Sequence, residues 1–180
     1  MNMNKPLLTG TAVLLLASSA LRAQYAGTGT TTMSVAIGAE ASIQVTTSTT
    51  TLTTVGSLFN NYTGTTNLSY KIRTTQSSGN GALTLKVTAD FSPANGPSVA
   101  SPPNAGDLLT YTCTVAAPGT ACSGSQTSST ASATSVSTFG AGANSGPSGN
   151  TASTAWTLVN DPAYQTGSYS ATITYTISST

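Results

Sequence analysis

The segment Ser168-Tyr-Ser-Ala-Thr-Ile-Thr-Tyr-Thr-Ile-Ser178 decides the fold class, because its apolar and hydroxyl side chains alternate without a break. Successive side chains of a β-strand point to opposite faces of the sheet. The pattern therefore predicts a strand with one buried face and one wet face. The apolar positions are Tyr169, Ala171, Ile173, Tyr175 and Ile177.

The same period of two recurs along the chain, and no stretch has the period of a helix. Turn-forming residues separate the alternating stretches, which is typical of an antiparallel β protein. We predict an all-β fold, an antiparallel Ig-like β-sandwich of about seven or eight strands, with a closed barrel as the alternative. The upstream stretches are Met33–Ile37, Ile43–Val45, Leu68–Ile72, Leu83–Phe91, Leu109–Val115 and Ala152–Leu158.

Turn and loop signals divide these stretches. Asn80-Gly81 is a strong signal for a two-residue turn, so it predicts a hairpin between the Leu68–Ile72 and Leu83–Phe91 strands. The Ser/Thr/Ala-rich stretch Ser125–Ser135 predicts an edge strand. Runs of Gly, Pro, Asn and Ser predict loops at Asn60–Gly64, Pro93–Asp107 and Gly140–Gly149.

The composition agrees with a β protein. Charged residues make up 5% of the 180 residues, against roughly 25% in an average soluble protein. Thr, Ser and Asn replace them, and these residues form helices poorly.

The first residues predict a removable leader. Lys5 precedes an apolar run from Leu7 to Leu21, and small residues end it, so cleavage is expected after Ala20 or Ala23. A membrane anchor is the alternative, but the run is shorter than the ~20 residues that a span needs. We expect a signal peptide at 1–23, one sandwich domain at 24–180, and an exported mature chain without a membrane span.

The mature chain is almost neutral. After cleavage at Ala23 it has three positive and four negative side chains, a net charge of −1. Nucleic acid is therefore not an expected partner, because nothing neutralises its phosphates. The seven are Lys71, Arg73, Lys86, Glu40, Asp90, Asp107 and Asp161.

Cys113 and Cys122 are the only cysteines, and Pro118-Gly119 between them predicts a turn. In an exported chain an even cysteine count predicts a disulfide, here stapling a strand to its returning chain. A redox-active pair is the alternative.

Residues for catalysis are missing from the sequence. It has no histidine, which removes the commonest general base and the commonest zinc ligand. Its four acidic residues are far apart in sequence, so neither a carboxylate pair nor a calcium site is expected. We predict no enzyme activity, no cofactor and no metal.

The closing segment from Gly167 to Ser178 resembles the last strand of bacterial fimbrial-type subunits, in particular the secreted spore coat U and related pilus-subunit families. Gly167 is fourteenth from the C-terminal end, where chaperone–usher pilins also have a glycine. Ser179 replaces their penultimate aromatic residue, and their cysteine spacing is missing, which counts against chaperone-dependent assembly. The resemblance implies an Ig-like sandwich and, in some members, assembly by exchange of an N-terminal strand.

These observations predict a structural or adhesive protein located at the cell surface, outside the cell or in the periplasm. Its partners would be other copies or other surface subunits. The alternating Met33, Val35 and Ile37 could form a donor strand, or else an ordinary first strand of the same sandwich.

The alternative function is an extracellular module that binds carbohydrate or another surface. Exposed aromatic rings would bind a glycan, and the candidates in predicted loops are Phe59, Tyr62 and Tyr164. Trp156 is expected to pack in the core, with ligand stacking as its alternative role.

Overall fold

The structure is a computed structural model that describes residues 28–56 and 58–180. The predicted signal peptide at 1–23 lies outside the described residues. Those residues contain nine strands and no helix, and so none that is long and apolar enough to cross a membrane. The strands are β1 Glu40–Val45, β2 Tyr62–Arg73, β3 Gly81–Ser92, β4 Leu109–Val115, β5 Thr120–Ala121, β6 Gln126–Thr127, β7 Thr134–Phe139, β8 Asn150–Leu158 and β9 Ser170–Ser179.

The strands form two sheets within one compact unit, residues 36–180. Sheet 1 has the strand order β1-β2-β8-β4-β6, and sheet 2 has the order β5-β7-β3-β9. Every strand pair is antiparallel. The predicted all-β class and two-sheet antiparallel architecture are confirmed.

The inward-facing side chains of both sheets form a single core. The period of two is clear on β8, where Ala152, Thr154, Trp156 and Leu158 are all buried. Trp156 is 3% exposed, which confirms it as a core residue. Its ring lies 5.2 Å from that of Tyr111 on the neighbouring strand β4, measured between ring centroids.

Polar atoms of the core form hydrogen bonds both within sheet 1 and between the two sheets. The Trp156 Nε1–H donates to Thr66 Oγ1 at 2.9 Å within sheet 1. Between the sheets, Tyr111 Oη donates to the Ser135 carbonyl at 2.8 Å, and Tyr175 Oη lies 2.6 Å from Thr154 Oγ1. Burial raises the pKa of both tyrosines above its ordinary value, and their hydrogen bonds oppose that rise. These bonds satisfy groups whose burial would otherwise be costly.

The predicted hairpin at Asn80-Gly81 is wrong. Strand β2 pairs with β1 and β8 in sheet 1, whereas β3 pairs with β7 and β9 in sheet 2. The turn between them therefore carries the chain from one sheet to the other. It is tight at Gly79, where an added Cβ would lie 2.2 Å from the Thr75 backbone nitrogen. The two strands bury their apolar rows against each other across the core instead of sharing one ladder.

Two boundaries also differ from the sequence prediction. The expected loop Asn60–Gly64 ends early, because β2 begins at Tyr62. Within Ser125–Ser135 the edge strand is only the two-residue β6, while β7 begins at Thr134 and was not predicted as a strand. Strand β7 contributes Val136 and Phe139 to the core. It was missed because serine and threonine dominate its sequence.

The predicted disulfide between Cys113 and Cys122 is present, with the two Cα atoms 5.5 Å apart. Cys113 lies on β4 of sheet 1, and Cys122 directly follows β5 of sheet 2. The Cys122 backbone N–H donates to the Val136 carbonyl on β7. The disulfide therefore joins the two sheets at one side of the sandwich rather than closing a hairpin.

Asp90 near the end of β3 anchors the long loop that follows. Its carboxylate accepts hydrogen bonds from the backbone N–H groups of Phe91, Val99 and Ala100 and from Ser98 Oγ. Partial burial raises the pKa of this carboxyl, but the four bonds together lower it more, and the net shift is downward. The ionised form thus holds the start of the 93–107 loop.

We predict that Asp90, which anchors the 93–107 loop, makes the stability of the fold depend on pH in the acidic range. Because the pKa of Asp90 is lower in the folded chain than in the unfolded chain, its contribution is complete above about pH 5 and falls as pH drops through the folded-state value. Asp90→Asn should lower the free energy of unfolding at pH 7 and flatten its decline below about pH 4. Urea unfolding from pH 2.5 to 7 measures both. An unchanged acid profile would contradict the anchoring role.

We also predict a sharp contrast between neighbours on β3. Leu85 is buried in the core, so Leu85→Ala should lower the free energy of unfolding by about 2–5 kcal/mol. Lys86 is the matched control, because it faces outward on the same strand. Lys86→Ala should change the free energy of unfolding by less than about 0.5 kcal/mol. Urea unfolding of residues 24–180 gives both values. Equal losses would show that the register of β3 is wrong.

Candidate assembly edge and aromatic loop end

Strand β9 is a free edge of sheet 2. It pairs with β3 on one side, and no other strand of the described residues pairs with it. Its ten residues include no proline and no charged side chain. Its inward-facing row is only half-buried, whereas the inward-facing Leu83, Leu85 and Val87 of β3 are buried completely. The inward row of β9 is Ala171, Ile173, Tyr175 and Ile177.

The edge of sheet 1 adjoins this free edge. Among the described residues, strand β1 pairs only with β2, and it runs close to β9 where the two sheets meet. Its inward-facing Ala41 and Ile43 are half-buried against the core. We call this region, formed by the inward rows of β1 and β9, the edge seam. It is an apolar strip with an unpaired backbone along one side.

The predicted donor residues lie just before β1. Residues 28–39 form neither a helix nor a strand, and Met33, Val35 and Ile37 are 92%, 82% and 66% exposed. The interpretation as an ordinary first strand does not hold, because sheet 1 begins at Glu40. The alternation is present, but these side chains are not half-buried.

The chain is fixed where β1 begins. Arg73 Nε–H donates to the Gly38 carbonyl at 2.7 Å, and Arg73 Nη2 lies 3.0 Å from Glu40 Oε2. Both side chains of this ion pair are exposed, so its energy is small. The effect of the Arg73 side chain is geometric, because its hydrogen bond to the Gly38 carbonyl holds Gly38 beside the last residue of β2.

The three aromatic candidates for glycan binding differ in exposure. Phe59 is 61% exposed and has a left-handed backbone, with φ of 55°. Tyr62 is the first residue of β2 rather than a loop residue, and it is half-buried against the core. Tyr164 is half-buried, and Tyr62 lies near enough to affect its ionisation. Glycan binding stays a prediction, with one well exposed ring instead of three.

The structure brings Asp107 and Asp161 together at the Asn104 side chain. The sequence predicted no such pair of carboxylates, because its acidic residues are far apart along the chain. The Asn104 side-chain amide donates to Asp161 Oδ2 at 2.8 Å and, more weakly, to Asp107 Oδ2 at 3.4 Å. Backbone N–H groups of Asn104 and Ala163 also donate to these carboxylates. Asp107 is 2% exposed. The pair joins two loops, and no spacing in the sequence signals it.

These carboxylates act on Tyr164. Burial, followed by the charges of Asp107 and Asp161 and by Tyr62, raises the pKa of Tyr164 to about 12. Its hydroxyl is buried and has no hydrogen-bond partner among residues 28–56 and 58–180. The described residues include no group of three or more His, Cys, Asp or Glu side chains that could hold a metal ion. The Tyr164 side chain is therefore a neutral phenol that lies close to the hydrogen-bonded carboxylates of Asp107 and Asp161.

Comparisons with protein-family models, with curated proteins and with solved structures find no match to this chain. The fold and the edge seam define it as a two-sheet antiparallel β protein with a free, uncharged edge strand. The resemblance to fimbrial-type subunits stays a prediction from the closing segment.

The unpartnered Tyr164 hydroxyl gives a stability prediction. Tyr164→Phe removes a buried donor that makes no hydrogen bond, so the free energy of unfolding should stay the same or rise by up to about 1 kcal/mol. Tyr175→Phe is the matched control, because it removes a bonded hydroxyl and should lower stability by about 1 kcal/mol. Urea unfolding compares the two. A clear loss in Tyr164→Phe would show that this hydroxyl has a partner.

Proposed function

We propose that this chain is an exported, non-catalytic structural or adhesive protein of the cell surface, the extracellular space or the periplasm. Its sandwich is Ig-like, and its subunits assemble by strand exchange in the manner of fimbrial-type proteins. Residues 33–37 of one copy pair with the free edge of β9 in the next. The observation that carries this proposal is an exposed alternating segment in a chain that also has an edge strand without charge or proline.

The chemistry of β9 supports pairing with another strand. Soluble proteins usually protect a long edge with proline, inward charges, a bulge or a covering loop. Strand β9 has ten residues without charge or proline. Its exposed backbone groups can receive an added strand, and main-chain hydrogen bonds would then supply affinity while side-chain positions supply register.

The chemistry of the N-terminal segment supports its role as donor. Full burial of a large apolar side chain is worth about 1.5–3 kcal/mol. Met33, Val35 and Ile37 leave most of that energy unused in a single chain. The half-buried inward row of β9 offers apolar surface with the same spacing, since both follow the period of a strand.

The proposed contact joins two different surfaces of the chain. Contacts of this kind are heterologous, and they generate rings or open filaments rather than closed two-fold dimers. A fibre subunit needs this type of interface. The lack of histidine also favours a structural role over catalysis.

The test compares two double variants of the mature chain, residues 24–180. Val35→Asp with Ile37→Asp places charges in the apolar row, and Ser34→Asp with Ala36→Asp places equal charges in the alternate row. All four residues are exposed, so both variants should fold. We expect the first to weaken association at least tenfold, about 1.4 kcal/mol, and the second to assemble like the parent.

Sedimentation velocity and negative-stain electron microscopy over a range of concentrations give the readout. A parent chain that stays monomeric at every concentration would contradict strand exchange. Equal assembly of both double variants would instead show that copies associate through another surface.

A further inference from the structure

Five threonines lie in one row across the outer face of sheet 1. Neighbouring members are direct partners in the antiparallel register, through the pairs Thr53↔Thr63, Thr63↔Thr157, Thr157↔Thr110 and Thr110↔Thr127. The row crosses β2, β8, β4 and β6 and ends on the segment that contains Thr53. All five side chains are exposed or half-buried. We call them the threonine row.

Two shorter rows continue this face along the strands. The second row is Thr65, Ala155 and Thr112, and the third is Asn67, Ser153 and Thr114. None of these residues is charged or aromatic. The register of the β2–β8 and β8–β4 pairs runs without a shift. These three rows together form what we call the threonine face.

Sheet 2 also has an outer face rich in threonine, but that face is irregular. Lys86 faces outward in the middle of β3. The register shifts between Leu83 and Thr84 on the β7 side, and again after Val87 on the β9 side. A regular, uncharged lattice of hydroxyl groups is thus a property of sheet 1.

The spacing of the threonine face follows from β geometry. Neighbouring strands lie about 4.8 Å apart, and alternate residues along a strand lie about 6.8 Å apart. Most of its hydroxyls make no hydrogen bond within the described part of the chain, and Thr110 Oγ1 makes only a long one of 3.4 Å to the Thr157 carbonyl. The face is therefore an array of hydroxyl-bearing side chains on hydrogen-bonded strands, most of whose hydroxyls have no partner among the described residues.

We propose that the threonine face binds the surface of ice. A crystal of water presents oxygens that repeat at distances similar to those of a β-sheet, and each threonine offers a hydroxyl for that lattice and a methyl that displaces loosely held water. Because the hydroxyls are already ordered by hydrogen-bonded strands, binding requires little further loss of entropy.

The same face lacks the groups that other solid or polymeric ligands would need. No aromatic ring is available for stacking on a sugar. No carboxylate is present for a calcium mineral, and no lysine or arginine for an anionic polymer. The sheet twists by roughly 20–25° per strand, so only a small area matches a flat crystal plane. We therefore expect inhibition of ice recrystallisation and shaping of ice crystals rather than a large depression of the freezing point.

The test measures how strongly the mature parent chain and two lysine variants inhibit the recrystallisation of ice. Ala155→Lys places a long charged side chain between Thr65 and Thr112, at an exposed position. Thr138→Lys is the matched control, because it places the same charge at an exposed position of sheet 2, on β7 and away from the proposed assembly edge. Circular dichroism and thermal unfolding check that both variants fold.

We expect Ala155→Lys to need at least a tenfold higher concentration than the parent to inhibit recrystallisation, and Thr138→Lys to match the parent. Thr63→Lys, in the threonine row itself, should repeat the loss and serves if Ala155→Lys fails to fold. An inactive parent chain would overturn the proposal. Equal activity of all variants, or an equal loss in Thr138→Lys, would overturn it as well.

Discussion

The structure depends on the pairing of polar atoms carried by large inward-facing side chains. Trp156 and Tyr111 fill the middle of the core, and each carries a polar atom that must find a partner there. Trp156 uses Thr66, and Tyr111 reaches the Ser135 carbonyl in the opposite sheet. These bonds fix the depth and the rotation of the rings. A shift of one residue in β8 would turn Trp156 to solvent, and a shift in β4 would turn Tyr111 outward, so the register of sheet 1 is strongly determined.

The sequence predicts strands well where one face is apolar and the other carries hydroxyls. Strands β3, β4, β8 and β9 lie where the alternation indicated, because burial of one face requires it. It does not predict which strands pair. The Asn80-Gly81 turn has the residues of a hairpin, yet β2 and β3 lie in different sheets. Both arrangements bury the same apolar rows, and only contacts distant in sequence select between them. Strand β7 is invisible for another reason: within Thr134–Phe139, Val136 and Phe139 do not share the period of two.

The candidate sites show the same division. The alternation of Met33, Val35 and Ile37 is a strand signal, but it cannot tell a strand buried in its own sheet from a segment left exposed. The contact of Asp107 and Asp161 with Asn104 depends on two loops folding toward each other. The spacing of these residues in the sequence does not predict it. The disulfide was predictable as a pair because only two cysteines exist. Its role between the sheets was not, since the two-residue β5 joins sheet 2 by pairing with the distant β7.

One property of the composition connects the free edge of β9 with the threonine face. Lysine and glutamate normally cover outer faces and block edge strands, and this chain has few of either. Two of the three cations within residues 24–180, Lys71 and Arg73, lie at the end of β2, close to Glu40 on β1. The centre of the outer face of sheet 1 and the outward row of β9 are left with hydroxyl groups. Such a surface stays hydrated without repelling a neutral partner, because no charge has to be desolvated when a strand or a crystal approaches. A nearly uncharged surface thus suits contacts with extended, regular partners better than contacts with small charged ligands.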